Sequence, residues 1–454
     1  MIKLLQISVV SVVLIFNQNS HGTETEIIVL EDVLAGFDNN ERLSPAHSIS
    51  DSPPQKGYHL SGSLNFDIAC SLKHHTANGG SYDYRGLNVF RPGLNLEFDR
   101  KSDSYQLFLS GHFYYDFNYA IRGRENYPPQ LLSTYQEEIE LSEFWISSKI
   151  GKSNIRLGRQ IVSWGASDIF RPIDIVNTID IRTPSLTNLN GLKLPALISR
   201  LEIPFKQLEL GIILIHENRV KRMPVYGNDF YPFDFPLPPV VHDDFVLEDT
   251  GAGVELGIGL ESWYLSLSAL TLVQEQNFVG LTKDDSERLW NRIFMLGVSG
   301  TKPVGQWLFK TDLALFDGIQ YYQLDQEEKS KIEFNAGIDY SAWEHSFFSL
   351  EIFYRHVFGL DSSYKNDINY PLSDVLALGI AYSRSFFREK LNLKALIRIY
   401  GFNHGGTQRM SFTYRVTDAN QIEIGLMFFQ GGDNYIFENI GENTRAFVQY
   451  KYFF

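Results

Sequence analysis

Period-two alternation of apolar and polar residues recurs from Tyr58 almost to the C-terminus, and it restricts the chain to strands that face two different media. In Tyr58-Leu60-Gly62-Leu64-Phe66-Ile68 every second residue is apolar or small, while His59, Ser61, Ser63, Asn65 and Asp67 between them are polar. Tyr105-Leu107-Leu109-Gly111-Phe113-Tyr115-Phe117 reads the same way against Gln106, Ser110, His112 and Asp116. Phe348-Leu350-Ile352-Tyr354, Leu376-Leu378-Ile380-Tyr382, Leu391-Leu393-Ala395-Ile397-Ile399 and Met410-Phe412-Tyr414-Val416 repeat the pattern. Helical spacing fits none of them. Ile139 to Ile150 and Trp263 to Val273 alternate less cleanly, and a bulge there would explain it.

Beyond the N-terminal stretch no apolar run approaches the roughly 18 residues of a membrane helix, so a membrane form of this chain must be a closed barrel. Aromatic residues make up 14% of the chain, with 34 Phe and 24 Tyr, enough to supply the aromatic girdles of such a barrel. The connections alternate in length as well. Short links fall near 100–103, 151–154, 204–207, 261–262, 303–306, 344–345, 388–390 and 417–420. Longer polar or Gly-rich stretches fall near 71–86, 120–135, 164–195, 218–250, 274–287, 317–329, 359–373, 403–407 and 431–440. Short periplasmic turns and longer outer loops give this order. The expected fold is all-β: a transmembrane antiparallel up-and-down barrel of about 18 strands, with 16 as the alternative, over residues 57–454. Either size leaves an aqueous interior. A soluble sandwich or propeller would also alternate, but the last strand, Ala446-Val448-Tyr450-Tyr452-Phe454, ends on an aromatic carboxy-terminus. That ending resembles the recognition signal of outer-membrane proteins handled by the barrel-assembly machinery.

The first residues read as a secretory signal over 1–22: Lys3, an apolar stretch from Leu4 to Phe16, and Ser20-His21-Gly22 as a small-x-small cleavage site. Residues 23–56 form an N-terminal periplasmic segment or a small plug, with apolar residues from Ile27 to Leu34 ahead of a Ser/Pro/Asn-rich stretch. This is too short for the plug of a TonB-dependent receptor. The single cysteine, Cys70, lies far from the signal, which excludes a lipid anchor and an internal disulfide. The formal net charge is −14, and loss of Lys3 with the signal lowers it by one. Dispersed charge with acid in excess argues against nucleic acid and fits a surface facing outer-membrane lipid and lipopolysaccharide.

The most distinctive stretch is Arg156-Leu157-Gly158-Arg159-Gln160, Trp164-Gly165-Ala166-Ser167-Asp168, Phe170-Arg171-Pro172-Ile173-Asp174-Ile175-Val176-Asn177 and Asp180-Ile181-Arg182. It resembles the signature of a family of Gram-negative outer-membrane barrels of unassigned function, some encoded beside inner-membrane RND-type exporters. More distantly it is similar to alginate-export porins, which carry a related Gly-Arg-Gln strand. Physically the segment ends a strand and enters a loop too long for a simple connection. The loop is expected to fold into the lumen, with Arg159, Arg171 and Arg182 set against Asp168, Asp174 and Asp180 across a pore constriction. The alternative is that these charges pair with one another as an internal latch. Three aspartates could suggest calcium, but neither the spacing nor a glycine turn supports it.

The 218–250 loop, with Tyr226, Phe230, Tyr231, Phe233, Phe235 and Pro236-Leu237-Pro238-Pro239, reads as an apolar lid or as a cluster packed under its neighbours. Lumen-facing positions of later strands include Glu351, Arg355, Lys394, Arg398, Arg409, Arg415, Arg445 and Lys451. That face would attract anionic solutes or form a network paired with acidic neighbours. No G-x-S-x-G, H-E-x-x-H or P-loop pattern is present, and His74-His75 are adjacent residues that would face opposite sides of a strand. No catalytic, cofactor or metal site is expected. The sequence therefore points to an outer-membrane channel or porin-like transport protein, serving an export or uptake route with a periplasmic or inner-membrane partner. The alternative is a docking barrel without flux.

Overall fold

Alternating side chains need two surfaces to satisfy them, and a closed sheet supplies one outside and one inside. A computed structural model describes residues 57–73, 83–184, 186, 192–232, 236, 245–281, 286–320, 328–341, 343–360 and 373–454, with the backbone alone at 275–281, 286–289 and 435. The strands begin with β1 (Gly57–Lys73), β2 (Gly86–Lys101), β3 (Tyr105–Tyr115), β4 (Glu137–Ile150), β5 (Ser153–Gln160) and β6 (Ala196–Phe205). They continue with β7 (Leu208–Ile215), β8 (Gly251–Leu260), β9 (Trp263–Leu281), β10 (Ser286–Val304), β11 (Trp307–Gln320) and β12 (Glu328–Tyr340). The last six are β13 (Ser346–Val357), β14 (Asp374–Phe386), β15 (Leu391–Tyr400), β16 (Gly406–Thr417), β17 (Asn420–Gln430) and β18 (Thr444–Phe453). All pairings are antiparallel between sequence neighbours, and β1 pairs with β18 to close the 18-stranded sheet. Eighteen is thus the strand number, and 16 is set aside. The signal peptide 1–22, the 23–56 segment, His74-His75, Phe233, Phe235 and Leu237-Pro238-Pro239 lie outside the described residues.

The outer surface is an apolar band. Phe294, Leu296 and Val298 of β10, Ile352 and Tyr354 of β13, and Phe412 and Tyr414 of β16 are exposed, whereas Ser299, Glu351, Arg355 and Ser411 between them are buried. This inverts the pattern of a soluble protein and matches a barrel solvated by hydrocarbon. At the short-turn end Trp307 and Tyr340 pack with tilted rings whose centres are 4.3 Å apart. Lys302 sits 4.3 Å from the Trp263 ring centre. Amphipathic side chains of this kind mark a headgroup boundary. Among the described residues no helix is long and apolar enough to cross a membrane.

Two irregular strands have separate explanations. The β3–β4 register shifts between Leu109 and Gly111, so a bulge displaces the alternation of β4. In β9 the register with β8 is continuous, but Leu270 and Leu272 make the lumen face apolar because they pack in a core with Trp164 and Ile173. The reading of 274–287 as a loop is corrected: β9 runs to Leu281 and β10 starts at Ser286. Strands that extend beyond the bilayer meet water on both faces, so the hydrophobic pattern ends before the hydrogen-bonded ladder does.

The interior is not simply aqueous. At the long-loop end, the described residues include three short α-helices: α1 (Asn118–Arg122), α2 (Pro129–Tyr135) and α3 (Tyr435–Ile440). Tyr84, Tyr119, Tyr127, Leu131 and Tyr135 form one cluster there. Burial raises the Tyr119 phenol well above its usual pKa, which keeps it neutral. The other filling comes from the 161–195 and 216–232 segments.

Candidate functional site

Strand β5 ends unusually. Gly158 has φ +129°, and a Cβ there would lie 2.2 Å from the Phe144 carbonyl oxygen, so only glycine permits this approach to β4. Its neighbour Arg159 pairs in register with Phe144, whose side chain belongs to the outward band. Arg159 Nε donates to Glu217 Oε2 at 3.0 Å and its terminal nitrogen to the Leu141 carbonyl at 3.2 Å. Arg159 is therefore apart from the other five expected site residues. The loop then turns inward and is closed at its base by Asn177. Asn177 Oδ1 accepts from the Val162 amide at 2.8 Å, while Nδ2 donates to the carbonyls of Gln160 at 3.1 Å and Leu194 at 2.9 Å.

From that base the loop crosses the lumen. On one wall Val162, Trp164, Ile173 and Val176 pack with Ile198, Ile213, Leu270, Leu272, Ile293 and Met295 of β6, β7, β9 and β10. On the far wall Ile169, Phe170 and Ile181 pack with Phe353, Ala377, Leu396 and Tyr400 of β13 to β15. The wall is cut to receive them. A Cβ at Gly253 of β8 would lie 2.7 Å from Trp164, and one at Gly379 of β14 would lie 2.8 Å from Ile169 and 2.9 Å from Phe170.

The turn between these seats carries five consecutive backbone N–H groups, and wall carboxylates accept them. Asp312 on β11 accepts from Ala166 and Ser167 at 2.9 Å. Glu351 on β13 accepts from Asp168 at 2.8 Å, Ile169 at 3.1 Å and Phe170 at 3.0 Å. Asn335 on β12 joins the two sets by donating to Ser167 Oγ at 2.7 Å and Glu351 at 3.1 Å. Lys310 lies among the carboxylates, 2.5 Å from Asp168, 2.8 Å from Asp339 and 3.3 Å from Glu351. Such a buried polar network costs least when its members are satisfied, and among the described residues Asn335 Oδ1 is an exception at its centre.

The remaining site residues are paired locally. Arg171 lies 3.7 Å from Asp174 and donates to the Asp168 carbonyl at 3.1 Å. Asp174 is held 2.5 Å from Lys193. Asp180 and Arg182 meet at 2.5 Å, and Arg182 reaches Glu138 of β4 at 2.7 Å. Burial works against the Arg182 charge, but Asp180 and Glu138 outweigh it and raise its pKa well above the usual arginine value. Arg222 adds contacts to Glu138 at 2.6 Å and Glu140 at 2.8 Å, and Arg219 reaches Glu140 at 2.6 Å. His112, Glu138 and Glu140 bring ligand-type atoms within 4.8 Å of one another. Three arginines already occupy those carboxylates, so the group fits an ion-pair node better than a cation site.

Sequence reasoning missed Lys193, Lys310, Asp312, Asn335, Glu138 and Arg222. Lys310 and Asp312 carried a signal: both are charged residues at lumen positions in the middle of a strand. Of the aromatic residues expected in the 218–250 segment, Phe230 and Tyr231 go inward and are buried, and the Phe230 ring lies 5.0 Å from that of Phe429 on β17. Of the expected basic face, Arg409 pairs with Glu423 at 3.2 Å and Arg445 with Asp229 at 2.5 Å.

The profile of the family described as "Protein of unknown function (DUF1302)" matches residues 26–207, a span that contains the Gly158 to Arg182 segment. No curated protein matches the sequence. In structure the chain is similar to OccAB3 of Acinetobacter baumannii, with a TM-score of 0.53 and 11% identity over 87% of this chain and 99% of that one. It is also similar to a BenF-like porin from Pseudomonas fluorescens Pf-5, with a TM-score of 0.54 and 9% identity over 87% and 98%. A third similar structure is the outer membrane protein opdK from Pseudomonas aeruginosa, with a TM-score of 0.52 and 10% identity over 88% and 99%. At these identities the likeness speaks for the fold.

Proposed function

We propose that this chain is a non-enzymatic, porin-like channel of the cell outer membrane whose lumen is constricted by the 161–195 loop. The observation that carries the reading is an 18-stranded barrel with an apolar exterior and a charged lumen wall into which a loop is keyed from both sides. With the short turns periplasmic, both the start of β1 and Phe454 lie on the periplasmic side. Residues 1–22 serve as the export signal, and 23–56 as a periplasmic segment available to an inner-membrane partner. As the family resemblance of the signature implies, the barrel is the outer component of an export or uptake route.

The solute class we propose is anionic. Alternation places Lys394, Arg398, Arg409, Arg415, Arg445 and Lys451 on the lumen face of β15 to β18, against Glu423 as the acidic side chain of those strands. Two structures with this fold hold carboxylates, OccK2 with glucuronate and OpdK with vanillate. The test is single-channel recording of the purified protein in planar bilayers under a salt gradient. A reversal potential favouring anions is expected, and a cation-selective pore would overturn the solute class. One observation favours the alternative of a docking barrel without flux: the long-loop half of the lumen is packed with side chains from 161–195 and 216–232. Folded protein that never conducts would select that reading.

A further inference from the structure

The two segments that cross the lumen are fastened by different chemistry. The 161–195 loop offers backbone N–H groups to wall carboxylates, and its apolar side chains sit in cut-outs of the wall. The 216–232 strap leaves β7, is tied at Arg219 and Arg222 to Glu140 and Glu138 of β4, and beyond them meets β18 through a side-chain ion pair. Arg445 donates to Asp229 Oδ2 at 2.5 Å, with its guanidinium carbon 4.2 Å from the centre of the Phe230 ring. The Asn443 amide donates to the Asp229 carbonyl, and the Tyr84 hydroxyl to the Gly227 carbonyl. Both charges of the pair are buried, yet Asp229 Oδ1 and Arg445 Nε have no hydrogen-bond partner among the described residues.

We propose that the strap is the moving part of the lumen and that Asp229 is an autoinhibitory carboxylate, seated on Arg445 to hold the strap closed. This rests on the channel reading, because Arg445 belongs to the basic row assigned to the solute path. A buried ion pair returns its desolvation cost only when its remaining polar atoms are also satisfied. Here Asp229 Oδ1 and Arg445 Nε are idle; the loop and its seat have idle atoms of their own at Gln160 and Asn335, but five backbone amides on wall carboxylates and apolar cut-outs in both walls hold the loop besides. A strap that swings outward exposes both groups to water. Space for the movement exists beside it, where a cavity of about 390 Å³ is lined by Lys221, Met223 and Tyr226 of the strap and by Gln130 and Ser133 of α2.

The experiment compares the full-length protein with Asp229→Asn, Arg445→Lys and the charge swap Asp229→Arg/Arg445→Asp. Hydrogen exchange is followed over peptides covering 216–232, with 164–177 as the internal reference because Ile179 and Ile181 share backbone hydrogen bonds with Arg222 of the strap, and single-channel conductance is recorded alongside. Each single substitution should speed strap exchange by at least about tenfold, leave the reference loop unchanged and raise open time, because opening of a local unit becomes easier. The charge swap should return both readouts towards wild type. Unchanged strap exchange in both single variants, or equal acceleration of strap and reference loop, would overturn the inference. Faster strap exchange in a barrel that stays silent, like wild type, would uphold the latch and reject the channel reading instead.

Discussion

Glu351 takes three backbone amides and approaches Lys310, so one side chain organises the turn that carries the loop to the far wall. Glu351→Gln keeps its volume but directs an NH₂ group at donors. Breaking a buried charged contact by changing one partner costs about 3–5 kcal/mol. The midpoint of denaturant unfolding in detergent micelles should fall accordingly, and a midpoint equal to wild type would show that the carboxylate is dispensable. Gly379 tests the apolar seat independently. Gly379→Val puts methyl groups where Ile169 and Phe170 already stand, with a Cβ closer to both than van der Waals contact allows. Overpacking of this kind costs about 1–3 kcal/mol. Limited proteolysis within 161–184 should accelerate. Gly259→Ala is the control, since its nearest neighbour would be 3.7 Å away.

At the scale of the loop, pairing decides what its charges can do. Asp168 and Asp174 are held by Lys310 and Lys193, and Arg182 by Asp180 and Glu138, so these groups present compensated charge to the lumen. Asp168→Asn/Asp174→Asn and Arg171→Gln/Arg182→Gln should both raise conductance noise while leaving the reversal potential nearly unchanged. Opposite shifts of selectivity in the two variants would instead assign the constriction field to these residues. Much of this loop was legible in the sequence: its position after β5, its excessive length and its inward fold follow from periodicity and spacing. Its partners were not. Lys310, Asp312 and Glu351 lie on β11 and β13, remote in sequence, and only the curvature of the closed barrel brings them to a loop that starts at β5. Arg159 was misplaced for a local reason, since the bulge of β4 and the backbone of Gly158 decide which face it takes.

For the whole molecule, the seam that closes the barrel is the β1–β18 ladder, and Phe454 lengthens it. Phe454 extends the β1–β18 pairing by two backbone hydrogen bonds to Gly62, each 3.0 Å, and its ring lies where a Cβ of Gly62 would be 2.7 Å away. The alternation of β1 and β18 predicted two compatible strands, but the glycine that receives the terminal ring was visible only as one small residue in an apolar row. A barrel has no stable open form in a bilayer, because an unpaired edge leaves backbone donors and acceptors in hydrocarbon. Deleting Phe454 removes both terminal bonds and the aromatic end, whereas Gly62→Val keeps the end, blocks its seat and crowds the Asn95 carbonyl of β2, 2.6 Å from the added Cβ. If the residue acts through strand closure, both variants should lower the fraction of folded, heat-modifiable protein in outer-membrane preparations, and in-vitro refolding into detergent should slow for both. If it acts through the assembly machinery alone, only the deletion should fail in cells and Gly62→Val should assemble as wild type. The two variants measured together therefore separate the chemistry of closure from recognition of the terminal aromatic, and normal folded yield from both would remove Phe454 from either role.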